Sequence, residues 1–183
     1  MKKLSMSMLI FLILAWTLFP GIAPIAKAAV DTKQHWAEPI IDRWTSEGLI
    51  KGYEDGTFQP DHSITRAEIA ALINRKFKLT STREMIPFPD LANNEWQFES
   101  LGTAAEVGYI SGYEDGTIRP NEAVTRQQLA VIIANLLRLE TMEDVSFIDS
   151  DEFPKWSKKE IAAVVAHGIM DGYSDLTFAR LEQ

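Results

Sequence analysis

Residues Gly52 to Glu68 read GYEDGTFQPDHSITRAE, and sixty residues later Gly112 to Gln128 read GYEDGTIRPNEAVTRQQ. The stretch begins once more at Gly172, as GYSDLTFA. The register extends beyond these loops, since Trp36, Trp96 and Trp156 share it, as do Gly48, Gly108 and Gly168. A period held with so little change in length marks a repeat architecture, in which each unit buries its apolar face against its neighbours.

Within a repeat the pattern reads helix, loop, capped helix. After Trp36, the positions Ile40, Ile41 and Trp44 are spaced for one helical face. Pro39 is compatible with this helix because a first-turn N–H has no intrahelical partner. Gly48 suits the residue just past the C-terminus, where positive φ is cheap only for glycine. Asp55-Gly56 is a turn signal and Pro60 stiffens the exit. Thr65 and Glu68 fit a capping box opening a second helix that runs to about Phe77, with Ile69, Leu72, Ile73 and Phe77 on one side.

The second unit opens at Phe88-Pro89-Asp90 and predicts a helix over Trp96 to Val107. Thr125 and Gln128 repeat the capping box, ahead of a helix reaching about Leu139. Phe147-Ile148-Asp149 opens a third unit, where Ser157-x-x-Glu160 predicts a further capping box. The repeated tryptophans, at helix starts, are expected in the core. The expected fold is all-α, as tandem helix-loop-helix repeats over 29–80, 81–140 and 141–183. The last is incomplete, because the position equivalent to Thr65 and Thr125 falls beyond Gln183.

The first residues are a leader rather than part of the fold. Lys2-Lys3, the apolar run Leu9 to Phe19 and Ala26-Lys27-Ala28 make a signal peptide over 1–28, cleaved after Ala28. The run is short for a membrane span, and Pro20-Gly21 ends it. Cleavage removes three lysines and moves the formal net charge from −8 to −11 over the remaining 155 residues. No basic field attracts nucleic acid, and no membrane association is expected after cleavage. The absence of cysteine excludes disulfides, thiolate catalysis and cysteine zinc sites.

These motifs resemble those of S-layer homology (SLH) domains. That family shows an aromatic-x-Asp opening, Trp-Ala at the first helix, Gly-Tyr-x-Asp-Gly-Thr-Phe-x-Pro in the loop and Ile-Thr-Arg-Ala-Glu at the second helix. The first repeat carries His35-Trp36-Ala37, Gly52-Tyr53-Glu54-Asp55-Gly56-Thr57-Phe58-Gln59-Pro60 and Ile64-Thr65-Arg66-Ala67-Glu68. The resemblance covers essentially the whole chain after the leader. It implies a pseudo-threefold bundle with grooves between neighbouring repeats. It also implies binding to secondary cell-wall polymers linked to peptidoglycan, often through a pyruvate ketal on a sugar, and retention of proteins on Gram-positive envelopes. The sequence departs from the pattern at Val30-Asp31, which lacks the aromatic, and at Gln127 and Gln128, which replace Ala-Glu. Leu176 stands where the other loops have glycine.

The expected function is therefore non-covalent anchoring to a secondary cell-wall polymer, with docking to other SLH-containing surface proteins as an alternative and glycan hydrolysis as a more remote one. Arg66 and Arg126 open their helices, where the dipole and unpaired N–H groups suit an anion and a guanidinium can take a carboxylate bidentately. On spacing alone each arginine can instead pair with an acid such as Glu68 or Asp55 and fix the loop. The resemblance favours a pyruvyl carboxylate. Gly52, Gly56, Gly112 and Gly116 allow the backbone to approach a sugar and equally serve as turn residues. Tyr53, Tyr113 and Tyr173 are open to stacking on a sugar face or hydroxyl donation. Trp36, Trp96 and Trp156 could do likewise but are read as structural, and Asp55 and Asp115 complete the ligand-binding set. Tyr-Glu-Asp-Gly-Thr lacks the alternating acids of a calcium loop, so no metal or cofactor is expected. Adjacent Glu54 and Asp55 do not converge on one substrate as hydrolysis requires, so no catalytic residues are expected.

The incomplete third repeat carries its own expectations. Its loop should fray after about Tyr173, and an apolar patch beside Leu72 and Ile132 should favour self-association. Leu176 should be strained if its turn keeps positive φ.

Overall fold

The computed structural model describes residues 30–81, 87–92, 96–140, 142 and 145–178. The leader expected over 1–28 lies outside the described residues. Among these residues the fold is all-α, with helices α1 (Glu38–Ser46), α2 (Arg66–Phe77), α3 (Trp96–Val107), α4 (Arg126–Leu137) and α5 (Lys155–Ala166). The chain divides into two compact units between Pro60 and Asp61.

The first unit holds α1 and the first repeat loop. Pro39 sits in the first turn of α1, and Gly48, at φ +70°, follows its C-terminus. In the loop the Tyr53 N–H donates to Thr57 O at 2.7 Å. Asp55 Oδ1 accepts from the Thr57 N–H at 2.9 Å and its hydroxyl at 2.7 Å. Asp31 then takes the N–H groups of Phe58 and Gln59, at 2.9 and 2.7 Å. The opening aspartate thus satisfies loop donors that would otherwise need water.

The second unit repeats this device twice. Asp90 accepts from Ile118 and Arg119, at 3.0 and 2.7 Å, and Asp149 accepts from Phe178 at 3.0 Å. Both expected second helices carry full capping boxes, Thr65 with Glu68 and Thr125 with Gln128. Helix α4 stops at Leu137, two residues before the expected end, because Arg138 turns left-handed at φ +50°. Helix α3 packs on α2, and α5 packs on α4. Tyr109, fully buried, ties the first of these pairs by donating to Asn74 Oδ1 at 2.6 Å, while Asn74 Nδ2 donates to Ser100 O.

Four expectations need correction. Helix α5 begins two residues before Ser157, with Pro154 at the cap, and the Ser157 hydroxyl donates to Pro154 O instead of capping. The tryptophans are not core: Trp36, Trp96 and Trp156 are 81%, 56% and 53% exposed. Five residues on, about 140° around a helix, Ile41, Leu101 and Ile161 are the buried ones. No apolar patch surrounds Ile132, which is 3% exposed, and Leu72 packs against the same core cluster.

The fourth concerns the third loop, which is built like the others through Phe178. Tyr173 donates to Thr177 O at 2.7 Å, and Phe178 packs against Phe147 and Phe153 with ring centroids 5.4 and 6.1 Å away. These rings supply the burial that the expectation of fraying overlooked. Leu176 does adopt φ +63°, at the turn position held by Gly116 in the second loop.

Candidate functional site

A cleft of about 660 Å³ opens in the second unit. Arg66 from α2, the loop residues Ser111 to Asp115, Arg119, Gln128 from α4 and Trp156 from α5 all line it. Each of the three repeats therefore contributes.

Arg66 is only 5% exposed. Its Nε donates to Ile118 O and its Nη2 to Ser111 O, both at 2.8 Å. The guanidinium therefore latches the first residue of α2 to the second loop, rather than pairing with Glu68 or Asp55. Among the described residues Nη1 meets no acceptor. Burial pushes the Arg66 pKa down, but a guanidinium stays charged at any ordinary pH.

The N-terminus of α2 does not provide the expected anion seat. Its Arg66 N–H donates to Glu122 O and its Ala67 N–H to Pro120 O, each at 3.0 Å. The Glu68 N–H goes to Thr65 Oγ1. The helix terminus binds the exit of the second loop, and any anion at this end falls to the side chain.

Tyr113 is woven into the same cluster. Its ring centroid lies 4.9 Å from the Arg66 guanidinium and 3.8 Å from that of Arg119, within cation–π range. Its hydroxyl donates to Glu122 Oε1 at 2.7 Å and accepts from Gln128 Nε2 at 3.2 Å. Burial, together with the bond to Glu122, raises the Tyr113 pKa, and the Tyr113 hydroxyl in turn leads the lowering of Glu122.

Asp115 accepts both the N–H and the hydroxyl of Thr117 through Oδ1 and meets Arg119 through Oδ2 at 3.1 Å. The Thr117 hydroxyl, then its N–H and then Arg119 hold its pKa down to about 2. Gly112 lines the cleft, and a Cβ there would lie 3.0 Å from both Thr117 O and the Phe88 ring, so a larger residue would have to push one of them back. Gly116, at φ +82°, makes the turn and does not line the cleft.

Of the expected site residues, then, Arg66, Gly112, Tyr113 and Asp115 come together. Arg126 forms a second, parallel latch. Its Nη2 donates to Asp171 O, and its guanidinium lies 4.8 Å from the Tyr173 ring and 4.9 Å from that of Phe178. Its buried Nε has no acceptor among the described residues. Gly52, Tyr53, Asp55 and Gly56 belong to the loop of the first unit, where Asp55 closes the turn on Thr57.

Sequence reasoning missed Arg119 and Gln128 as cleft residues, and it weighed sugar stacking for Trp156 but placed that residue in the core. Arg119 replaces Gln59 of the first repeat, and Gln128 replaces Glu68. Those departures from the repeat were the available signal. Gln128 needs to be an amide here, since its Oε1 accepts from the Thr125 N–H while its Nε2 donates to Tyr113.

The S-layer homology domain model matches residues 30–70, 87–130 and 146–180. A cellulosome-anchoring protein of Acetivibrio thermocellus is 32% identical over 138 residues, covering 71% of this chain and 31% of that protein. A surface-layer 125 kDa protein of Lysinibacillus sphaericus is 27% identical over 157 residues, covering 83% of this chain and 13% of that protein. The exoglucanase XynX of Acetivibrio thermocellus is 28% identical over 156 residues, covering 81% of this chain and 14% of that protein. The chain thus spans less than a third of the length of each of these relatives. The three matched segments exceed half of its residues and carry the loops and capped helices that shape the cleft, so the chain belongs to the S-layer homology domain family.

Proposed function

We propose that this protein anchors non-covalently to a secondary cell-wall polymer, with the cleft as the receptor for an acidic sugar of that polymer. The protein is secreted and associated with the cell wall or S-layer, as its family and its cell-surface relatives indicate. Under this reading it consists of a leader over 1–28 and repeats over 29–80, 81–140 and 141–183.

One observation carries the proposal. Arg66 is buried and fixed at Nε and Nη2 by two loop carbonyls, yet it lines the cleft with Nη1 unengaged by any described acceptor. A guanidinium held along one edge loses little further freedom when a carboxylate meets the rest of its donors. A pyruvyl carboxylate fits this chemistry, as a charge-assisted acceptor beside a rigid donor. Gly112 and its loop neighbours Ser111 and Glu114 form part of the cleft wall. Binding requires no turnover and no metal.

Calorimetric titration of the purified chain with pyruvylated wall polymer, beside the same polymer stripped of pyruvate, tests this. Removal of the ketal is expected to weaken binding by at least about tenfold, as for loss of a hydrogen bond to a charged group. Equal affinity for the two polymers would remove the carboxylate from the account.

A further inference from the structure

We infer that Trp156 is the sugar-stacking platform of the cleft, a role that rests on the glycan reading above and names the residue that holds the neutral face of the sugar. Three aromatic side chains line the cleft, those of Tyr109, Tyr113 and Trp156. Tyr109 is fully buried, with its hydroxyl on Asn74. Tyr113 has two guanidinium groups over its ring, and its hydroxyl is held by Glu122 and Gln128. Neither ring is open to a ligand.

Trp156 differs on each count. It is 53% exposed while lining the cleft. No described aromatic ring stacks on it, and its indole N–H meets no described acceptor. Its position follows from local structure. Helix α5 starts at Lys155, two residues ahead of the expected cap, and packs along α4, whose residues Gln128, Val131 and Ile132 also line the cleft. The core contribution of this turn comes from Ile161, so the indole is spared for another task.

A pyranose offers two kinds of surface. Its hydroxyl and acidic groups want hydrogen-bond donors, and its patch of axial C–H groups wants a flat apolar partner with a polar edge. An indole supplies that partner, with a large contact area and little side-chain entropy to lose. Arg66 would take the charge and Trp156 the C–H face, so the cleft recognises an acidic sugar through two residues from different repeats. Trp96 shares the repeat position and is equally exposed, but it does not line the cleft. It is the internal control.

The test is calorimetric titration of the full chain and of Trp156→Ala, Trp156→Phe and Trp96→Ala, each against pyruvylated wall polymer and the same polymer after mild acid removal of pyruvate. Circular dichroism melts confirm that each variant is folded. Trp156→Ala is expected to weaken binding about tenfold or more, as truncated aromatic anchors do. Trp156→Phe should retain part of the affinity, and Trp96→Ala should stay within about twofold of the parent. Polymer should also quench and blue-shift the fluorescence of the parent but not of Trp156→Phe.

Parent-like affinity in a folded Trp156→Ala, with pyruvate still required, overturns the platform and leaves the carboxylate reading intact. Equal losses in Trp96→Ala and Trp156→Ala overturn it too, because the effect would not belong to the cleft. A loss confined to Trp156→Ala, with pyruvate irrelevant, supports the platform and removes the carboxylate. A parent chain that binds neither polymer overturns both.

Discussion

Replacing Arg66 by methionine keeps much of the buried volume and removes every donor. Two charge-assisted hydrogen bonds disappear, to Ile118 O and Ser111 O at 2.8 Å each, along with the contact to the Tyr113 ring at 4.9 Å. Hydrogen bonds to charged groups contribute about 1.5–3 kcal/mol each, and a partly desolvated cation–π contact about 1 kcal/mol. These terms share one side chain and do not add fully, and water reaches part of the cleft. A loss of about 3 kcal/mol is expected, against a typical domain stability of about 5–15 kcal/mol. Arg66→Lys should recover less than half, because an ammonium cannot span two carbonyls in the plane of a fork. Urea denaturation followed by circular dichroism measures the change. Hydrogen exchange should show it concentrated at the amides of Tyr113, Thr117 and Ile118. A folded Arg66→Met within about 0.5 kcal/mol of the parent, the scatter of ordinary surface substitutions, would refute the latch. The result also governs how wall binding is read: affinity lost in an Arg66 variant reports on the receptor only if the second loop keeps its protection.

Leu176→Gly should stabilise the chain by about 1 kcal/mol, since Leu176 holds φ +63° with an exposed side chain and the left-handed region costs a non-glycine residue about 1–2 kcal/mol; an unchanged thermal midpoint would argue against that strain. Gln128→Glu should cost about 1 kcal/mol at neutral pH, because the Tyr113 hydroxyl would then face carboxylates at both 122 and 128 with a single proton to share. The cost should shrink as pH falls below the carboxylate range, and a pH-independent penalty would count against this explanation. Asp115, whose pKa is lowered to about 2, should contribute stability that is fully present above its ordinary value of 3.8 and is lost as pH falls through about 2. A carboxyl titration by NMR with a midpoint near 3.8 would dissolve that interaction.

The capping boxes at Thr65 and Thr125 and the loop turns were legible because they depend on neighbours in sequence, whereas the Ser157 box was not, since Pro154 starts that helix earlier. Thr65 and Glu68 find each other whatever the rest of the chain does, and Asp55 closes on Thr57 two residues away. What sequence could not show were choices made across repeats. Spacing offers Arg66 a nearby acid such as Glu68 or Asp55 as its alternative to a ligand carboxylate, but its protein partners lie 45 and 52 residues away. The N-terminal amides of α2 looked open to an anion until Pro120 and Glu122 were found to occupy them. Hydrophobicity alone placed the tryptophans inside. Their phase against Ile41, Leu101 and Ile161 would have placed them outside, and that phase was visible in the sequence.

The two arginine latches of the second unit use one design unequally, and the inequality predicts where this fold opens first. Arg66 holds two carbonyls of the second loop, at Ser111 and Ile118. Sixty residues on, Arg126 holds Asp171 O, while its Nε, the counterpart of the atom that meets Ile118 O, is buried without an acceptor among the described residues. Among the described residues the third loop thus lacks one charge-assisted bond, about 1.5–3 kcal/mol, and at the turn position where the second loop has Gly116 it carries the left-handed Leu176, about 1–2 kcal/mol. Two aromatic contacts of Phe178, at 5.4 and 6.1 Å, offset about 0.5–1.5 kcal/mol each. The balance leaves the third loop roughly 1–2 kcal/mol easier to open than the second, so its amides should exchange about 5–30-fold faster. The comparison pairs Tyr173, Thr177 and Phe178 with Tyr113, Thr117 and Ile118, whose loops share one backbone pattern. Leu176→Gly should close about half of the gap and Arg126→Met should widen it. Equal exchange in the two loops of the parent chain would mean that the unpartnered Arg126 nitrogen costs the fold nothing, and that the aromatic cluster alone sets the stability of the third repeat.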